Sequence, residues 1–257
     1  MKSNANYTPI GNYALLLVGE PKTGKSTVAM GFPDPYFLLL SDSITYGVRR
    51  YPNKRFWYDV VEQDDDGNNV PERNRWKRAQ ELVREAWSKP EIKTIVIDTL
   101  NRYADYLCIE LVNDPVQATK ALVIGGQKCM TQNHWYPFGN LMKKFVSDLR
   151  ATGKLIVCTC HRKIDKDEMT GALFYKPALG GHSADTLGGL FTDIWCCEAR
   201  PCQPDAAHPT GVAYIVRTAP APRMNRGTVL KLPAEFEFNW SIVEKLLNFT
   251  PKGIIDK

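Results

Sequence analysis

The sequence predicts an α/β fold: a mostly parallel, twisted central sheet flanked by helices. Three observations predict it. Short apolar runs alternate with segments of helical period along the chain. Most of those runs are continuous, as strands covered on both faces require. A turn bracketed by glycines, Gly19-Glu20-Pro21-Lys22-Thr23-Gly24-Lys25-Ser26, joins the first apolar run to a helical segment. The composition agrees with a globular chain. Its 257 residues are 44% hydrophobic and 24% charged, which argues against disorder and collagen-like structure.

The expected strands are Tyr13–Val18, Tyr36–Leu40, Phe56–Val61, Thr94–Ile97, Leu155–Cys160, Ile194–Cys197 and Val212–Val216. A helix is expected to leave the turn near Lys25 and another to start near Leu100. Trp76, Ala79, Leu82, Val83, Ala86 and Trp87 share one helical face, and Pro90 ends that helix. Phe138, Leu141, Met142, Phe145, Val146 and Leu149 share another, with Pro137 at its start and Gly153 just past its end. Trp240 to Leu247 reads as a closing helix, and Pro201 to Pro209 as a polar turn. Glu62 to Arg75, EQDDDGNNVPERNR, reads as a surface excursion. With no repeat and no long linker, residues 1–257 read as one domain with a short tail at 1–11 and a polar insertion at about 62–75.

No run of 18 apolar residues is present, so no membrane partner is expected. The opening stretch MKSNANYTPIGNY has no apolar segment, and several of the seven cysteines sit in apolar runs; a reducing cytoplasm is expected. The net charge of +5 permits a nucleic-acid partner without demanding one. Cys158-x-Cys160-His161 and Cys196-Cys197 with Cys202 and His208 invite a zinc reading. No C-x-x-C pair exists, and small buried hydrophobes are the better reading.

The turn matches G-x-x-x-x-G-K-[ST], the phosphate loop or Walker A pattern, in the strand–loop–helix order it needs. Gly19, Glu20, Pro21, Lys22, Thr23, Gly24, Lys25, Ser26 and Thr27 are the candidate nucleotide-binding set. Glycines let backbone N–H groups converge on phosphate oxygens, and the helix N-terminus adds positive potential. Lys25 should reach the β- and γ-phosphates, and Ser26 should ligate Mg²⁺. Asp98, closing the apolar run Ile95-Val96-Ile97, is the second metal-side candidate, a Walker B aspartate. It could also cap the next helix, and the roles can coexist. No N-K-x-D base-reading motif occurs, which favours ATP, with Mg²⁺, over GTP.

The order of GEPKTGKST, GFPDPYFLLLSDS, KTIVIDTLNRY, YPFGNLMKKFVSDLRATGKLIVCTCHRK, KPALGGHSADTLGGLFTDIW and YIVRTAPAPRMNRGTVLKLP resembles the RecA/RadA class of P-loop ATPases. It is most similar to the compact phage RecA-like proteins known as AAA-type ATP-binding domains or Sak-type single-strand annealing proteins. The resemblance spans roughly residues 10 to 247. It implies a RecA-like P-loop NTPase fold and a Mg²⁺-dependent ATPase. Asp42 would activate the attacking water, although that class more often has Glu there. His161 would touch the γ-phosphate from the tip of a central strand, where the class often has Gln. Arg223 or Arg226, with Arg226 preferred, would reach a neighbour's ATP. Turn, loop and surface roles are the alternatives for all of these.

The resemblance also implies two mobile loops that bind single-stranded DNA, at Asn113 to His134 and at Arg162 to His182. The first holds Lys120, Lys128 and Gly125-Gly126. The second holds Arg162, Lys163, Lys166, Phe174, Tyr175 and Lys176. Expected partners are single-stranded DNA, further copies of the chain in a ring or filament, and a single-strand-binding protein. The expected function is recombination or strand annealing. The alternative is a RecA-fold ATPase that acts on a protein partner as a regulator or motor, without DNA.

Overall fold

The first strand, β1 (Ala14–Gly19), is buried along its whole length, and its alternating side chains divide the core. Ala14, Leu16 and Val18 face one hydrophobic cluster; Tyr13, Leu15 and Leu17 face the other. This is the pattern of a central sheet with helices on both faces. The computed structural model describes residues 13–40, 48, 50–166, 168–171, 173–180, 186–205, 208, 211–219 and 227–247.

The strands after β1 are β2 (Pro35–Leu39), β3 (Trp57–Val60), β4 (Thr94–Asp98), β5 (Leu122–Ile124), β6 (Gln127–Cys129), β7 (Leu155–Lys166), β8 (Leu173–Pro177), β9 (Asp193–Pro201), β10 (Val212–Arg217) and β11 (Glu235–Glu237). The helices are α1 (Lys25–Met30), α2 (Glu72–Ser88), α3 (Leu100–Asn113), α4 (Gln132–Ala151) and α5 (Trp240–Leu247). The main sheet runs β11-β10-β9-β1-β7-β4-β2-β3, with β8 added to β7. The strands from β9 to β3 are parallel; β10, β11 and β8 are antiparallel additions. Helices α2, α3 and α4 cover one face, and α1 and α5 the other. The mostly parallel α/β expectation holds, and every predicted strand is present.

Three expectations change. Helix α4 starts at Gln132, and Pro137 lies inside it. A capping box explains the extra turn: Thr131 N donates to His134 Nδ1 (3.0 Å), and buried His134 reaches Gln117 O through Nε2 (3.2 Å). The two expected loops are hairpins. β5 pairs with β6 across a Gly125-Gly126 turn, and β7 runs on through Lys166 to pair with β8.

The surface excursion at 62–75 is anchored to the fold. Val70 is buried, α2 begins at Glu72, and Gln63 bridges Asn69. Buried Arg75 donates through Nε to Val70 O (2.9 Å), through Nη1 to Glu62 Oε1 (3.0 Å) and through Nη2 to Asn69 Oδ1 (2.9 Å). Glu62 Oε1 also accepts from Arg102 Nη2 (3.1 Å) and Tyr106 Oη (2.8 Å). Tyr106 Oη lies 3.1 Å from Leu40 O, so this knot fixes α3 against the exit of β2.

Burial pushes the Glu62 carboxyl up, but the hydrogen bonds from Tyr106 and Arg102 and the charge of Arg75 outweigh it. Its net pKa lies below the ordinary 4.5. Such a group contributes stability above its unfolded pKa and loses it as pH falls through the folded value. Glu62→Gln should cost about 3 kcal/mol at pH 7, because the Arg75 charge stays buried with a weaker partner. It should also lose less stability than wild type between pH 5 and pH 3, as urea denaturation at each pH would measure.

Candidate nucleotide site

The site forms at the carboxyl ends of β1, β4 and β7, where open parallel sheets bind ligands. Gly19 ends β1 in register with His161 of β7. A Cβ on Gly19 would lie 2.5 Å from Thr23 Oγ1 and 2.7 Å from Cys197 O, so no side chain fits. The loop turns back through Lys22 (φ 65°) and Gly24 (φ 85°), and Thr23 Oγ1 donates to Glu20 O (2.8 Å). Gly24 needs its glycine twice: its φ is left-handed, and an added Cβ would meet the Tyr214 ring at 2.3 Å. Pro21 and Lys22 are exposed, whereas Thr27 is buried behind the loop.

Lys25 opens α1 with its side chain 6% exposed. Its Nζ donates to the Gly19 (3.0 Å) and Glu20 (2.7 Å) carbonyl oxygens at the loop's mouth. Burial lowers its pKa, and the Asp98 and Glu20 carboxylates oppose that. One residue on, Ser26 Oγ donates to Asp98 Oδ2 (2.7 Å). Asp98 is 1% exposed at the end of β4, and its Oδ1 accepts from Thr159 Oγ1 of β7 (2.5 Å). Thr99, and not Asp98, caps α3, its side chain accepting from Arg102 N. Thus the adjacent Lys25 and Ser26 meet Asp98, 72 residues further along the chain from Ser26, at one point.

These residues fit a magnesium nucleotide. Ser26 and Asp98 present only hard oxygen donors, adjacent and held, as a Mg²⁺ site with few protein ligands requires. The loop is folded so tightly that a Cβ at Gly19 would clash with Thr23 and the Cys197 carbonyl, and one at Gly24 with the Tyr214 ring. Among the described residues, no group of three or more His, Cys, Asp or Glu is placed to hold a metal ion. Cys160 and Cys197 flank Lys25 on the neighbouring strands, and burial pushes both thiols up to about 12.

His161 lies beside the loop. Burial, then the Lys25 charge, holds its imidazole below the ordinary 6.5, so the ring is neutral at pH 7. Its Nδ1 is buried without a hydrogen-bond partner among the described residues. Its backbone N–H donates to Asn101 Oδ1 (2.7 Å), and Asn101 Nδ2 donates to Ala178 O. Ala178 N donates back to His161 O (2.7 Å), closing the base of the β7–β8 hairpin onto α3.

Asp42, Arg223 and Arg226 lie outside the described residues. The chain just after the arginines is fixed: Asp193 accepts from Tyr13 Oη (2.8 Å), Trp195 Nε1 (3.1 Å), Thr228 Oγ1 (2.6 Å) and Val229 N (2.7 Å). Sequence reasoning missed Thr159, Asn101 and Tyr214. A hydroxyl inside the apolar run Leu155–Cys160 was the available signal for Thr159.

The fold and this loop define a P-loop nucleotide-binding domain of the α/β class. The AAA domain family model matches residues 11–225, and the chain belongs to that family, whose domain is an ATPase. No curated protein matches the chain. No helix among the described residues is long and apolar enough to cross a membrane.

Thr159 is fully buried and its hydroxyl is spent on Asp98 Oδ1, which makes it a positioning residue. Thr159→Val keeps the side-chain shape and removes the hydroxyl. The Mg²⁺ concentration for half-maximal binding of a non-hydrolysable ATP analogue should rise by about 10–100-fold, the usual effect of losing a metal ligand's partner. Magnesium-free affinity should stay unchanged. Titrating Mg²⁺ against a fluorescent analogue measures both.

Proposed function

We propose that this protein is a Mg²⁺-dependent ATPase of the RecA-like kind, related to the compact phage proteins, which uses its nucleotide state to control a single-strand-binding hairpin. One observation carries this reading. Strand β7 runs unbroken from Thr159, against Asp98, through His161, beside the loop, into the hairpin that ends at β8. A change at the phosphates therefore has a rigid element to act through.

In this reading the Gly19–Ser26 loop holds the phosphates and Lys25 neutralises the β,γ charge. Ser26 and Asp98 hold Mg²⁺, which neutralises charge developing on the transferred phosphoryl group. Asp42 orients and deprotonates the attacking water. His161, neutral at pH 7, donates one hydrogen bond to the γ-phosphate. Arg226 acts on the neighbouring subunit's nucleotide in a ring or filament.

The hairpin's register refines the DNA reading. Arg162, Ile164 and Lys166 stand opposite Pro177, Tyr175 and Leu173 and share one face. Lys163 and Asp165 stand opposite Lys176 and Phe174 on the other. Lys176 is engaged by Asp165 at 2.6 Å, and Lys163 donates to Leu179 O at 3.2 Å. The face with Tyr175, Ile164, Leu173 and Lys166 is the better platform, because stacking and charge lie side by side there. Exposed apolar side chains favour the second reading, a protein partner: Leu122, Val123 and Ile124 on β5 are each more than half exposed.

ATP turnover measured with and without oligothymidine tests the reading: several-fold stimulation is expected, and indifference favours the protein partner. Anisotropy with the same oligonucleotide should show Tyr175→Ala weakening binding by about 1–3 kcal/mol with the salt slope kept. Lys166→Ala should lower that slope by about 0.7. Lys163→Ala with Lys176→Ala should change it less.

A further inference from the structure

Glu20 places an acidic side chain in the phosphate loop. It is the first variable residue of a loop built to hold an anion, and its carboxylate lies at the loop's edge. Its backbone oxygen is held by Lys25 Nζ and Thr23 Oγ1, so the residue cannot swing away as a whole. Its side chain is instead matched by a cation from another strand: Arg162 Nε donates to Glu20 Oε1 at 2.8 Å. Arg162 directly follows His161 and is the first residue of the hairpin's β7 arm, opposite Pro177. Its guanidinium also lies over the Tyr175 ring, 4.8 Å from the centroid. One side chain thus joins the phosphate loop to the hairpin face.

A triphosphate entering the loop brings negative charge beside Glu20. The carboxylate and the phosphate then compete for the same guanidinium. A phosphate carries more charge and offers several oxygens to the planar fork, and arginine favours such bidentate partners. The contact with Glu20 uses Nε, so the guanidinium can turn toward the loop about its own stem. Loss of the terminal phosphate returns it to Glu20.

We propose that Arg162 senses the γ-phosphate: ATP takes its guanidinium from Glu20 and ADP returns it, which moves the hairpin face carrying Tyr175. This inference rests on the ATPase reading. It assigns Arg162 to the nucleotide rather than to a DNA phosphate, and Glu20 to the competing arm of the switch.

The test compares affinities for a fluorescent non-hydrolysable ATP analogue and the matching ADP, with hydrogen exchange of the β7–β8 amides as a second readout. Arg162→Gln should lower the ratio of ATP-analogue to ADP affinity by about tenfold, within the usual range of site-to-site coupling. Glu20→Gln, which removes the competitor at a half-exposed position, should raise that ratio several-fold. In the Arg162→Gln background, Glu20→Gln should leave the ratio unchanged. The ATP analogue should alter hairpin exchange in wild type and not in Arg162→Gln.

A ratio within twofold of wild type in both single variants, with nucleotide still bound, overturns the sensor and leaves the ATPase reading standing. Failure of wild type to bind either nucleotide overturns both. If Arg162→Gln does not fold, the Glu20→Gln ratio decides alone.

Discussion

The Asp98 carboxylate is the contact on which the rest of the site depends. It is buried, and each oxygen is bound by a hydroxyl from a different element: Ser26 from α1 and Thr159 from β7. A buried carboxylate is costly unless hydrogen-bonded. Here its two bonds also fix the first turn of α1 relative to the sheet, and so set where the phosphate loop opens. The same carboxylate lies at the end of β4, one strand beyond β7 from β1. Loop, metal-side oxygens and the strand leading to the hairpin are therefore positioned by one group.

From that centre, two connections lead outward. Asn101 joins the His161 backbone to Ala178 and closes the hairpin's base onto α3. Arg162 joins Glu20 to Tyr175. The Glu62 knot holds α3 itself, through Arg102 and Tyr106, against Arg75 of the polar excursion. The polar surface excursion thus braces the helix that follows Asp98.

The parts of the site that were legible in sequence are those whose signals are local. Gly19 to Ser26 are contiguous, and Asp98 ends an apolar run; both follow from pattern alone. Thr159 was legible only as a hydroxyl inside an apolar strand, a signal that does not name its partner 61 residues away. The strands were legible where both faces are buried. β8 and the outer half of β7 were not, because the resemblance implied a mobile loop there. The charge is balanced across the ladder, with Asp165 on Lys176, and pairing needs no apolar face there. The start of α4 was hidden too. Its capping box uses His134 where Glu or Gln is usual, so Pro137 looked like the better boundary.

The central claim is that a magnesium nucleotide is hydrolysed where Lys25, Ser26 and Asp98 meet. Phosphate release from ATP by purified wild type and Asp98→Asn, with nucleotide binding measured on the same samples, tests it most directly. The account predicts Mg²⁺-dependent release by wild type that falls at least about 100-fold in Asp98→Asn while the folded variant still binds nucleotide. Equal turnover in the two proteins would contradict it.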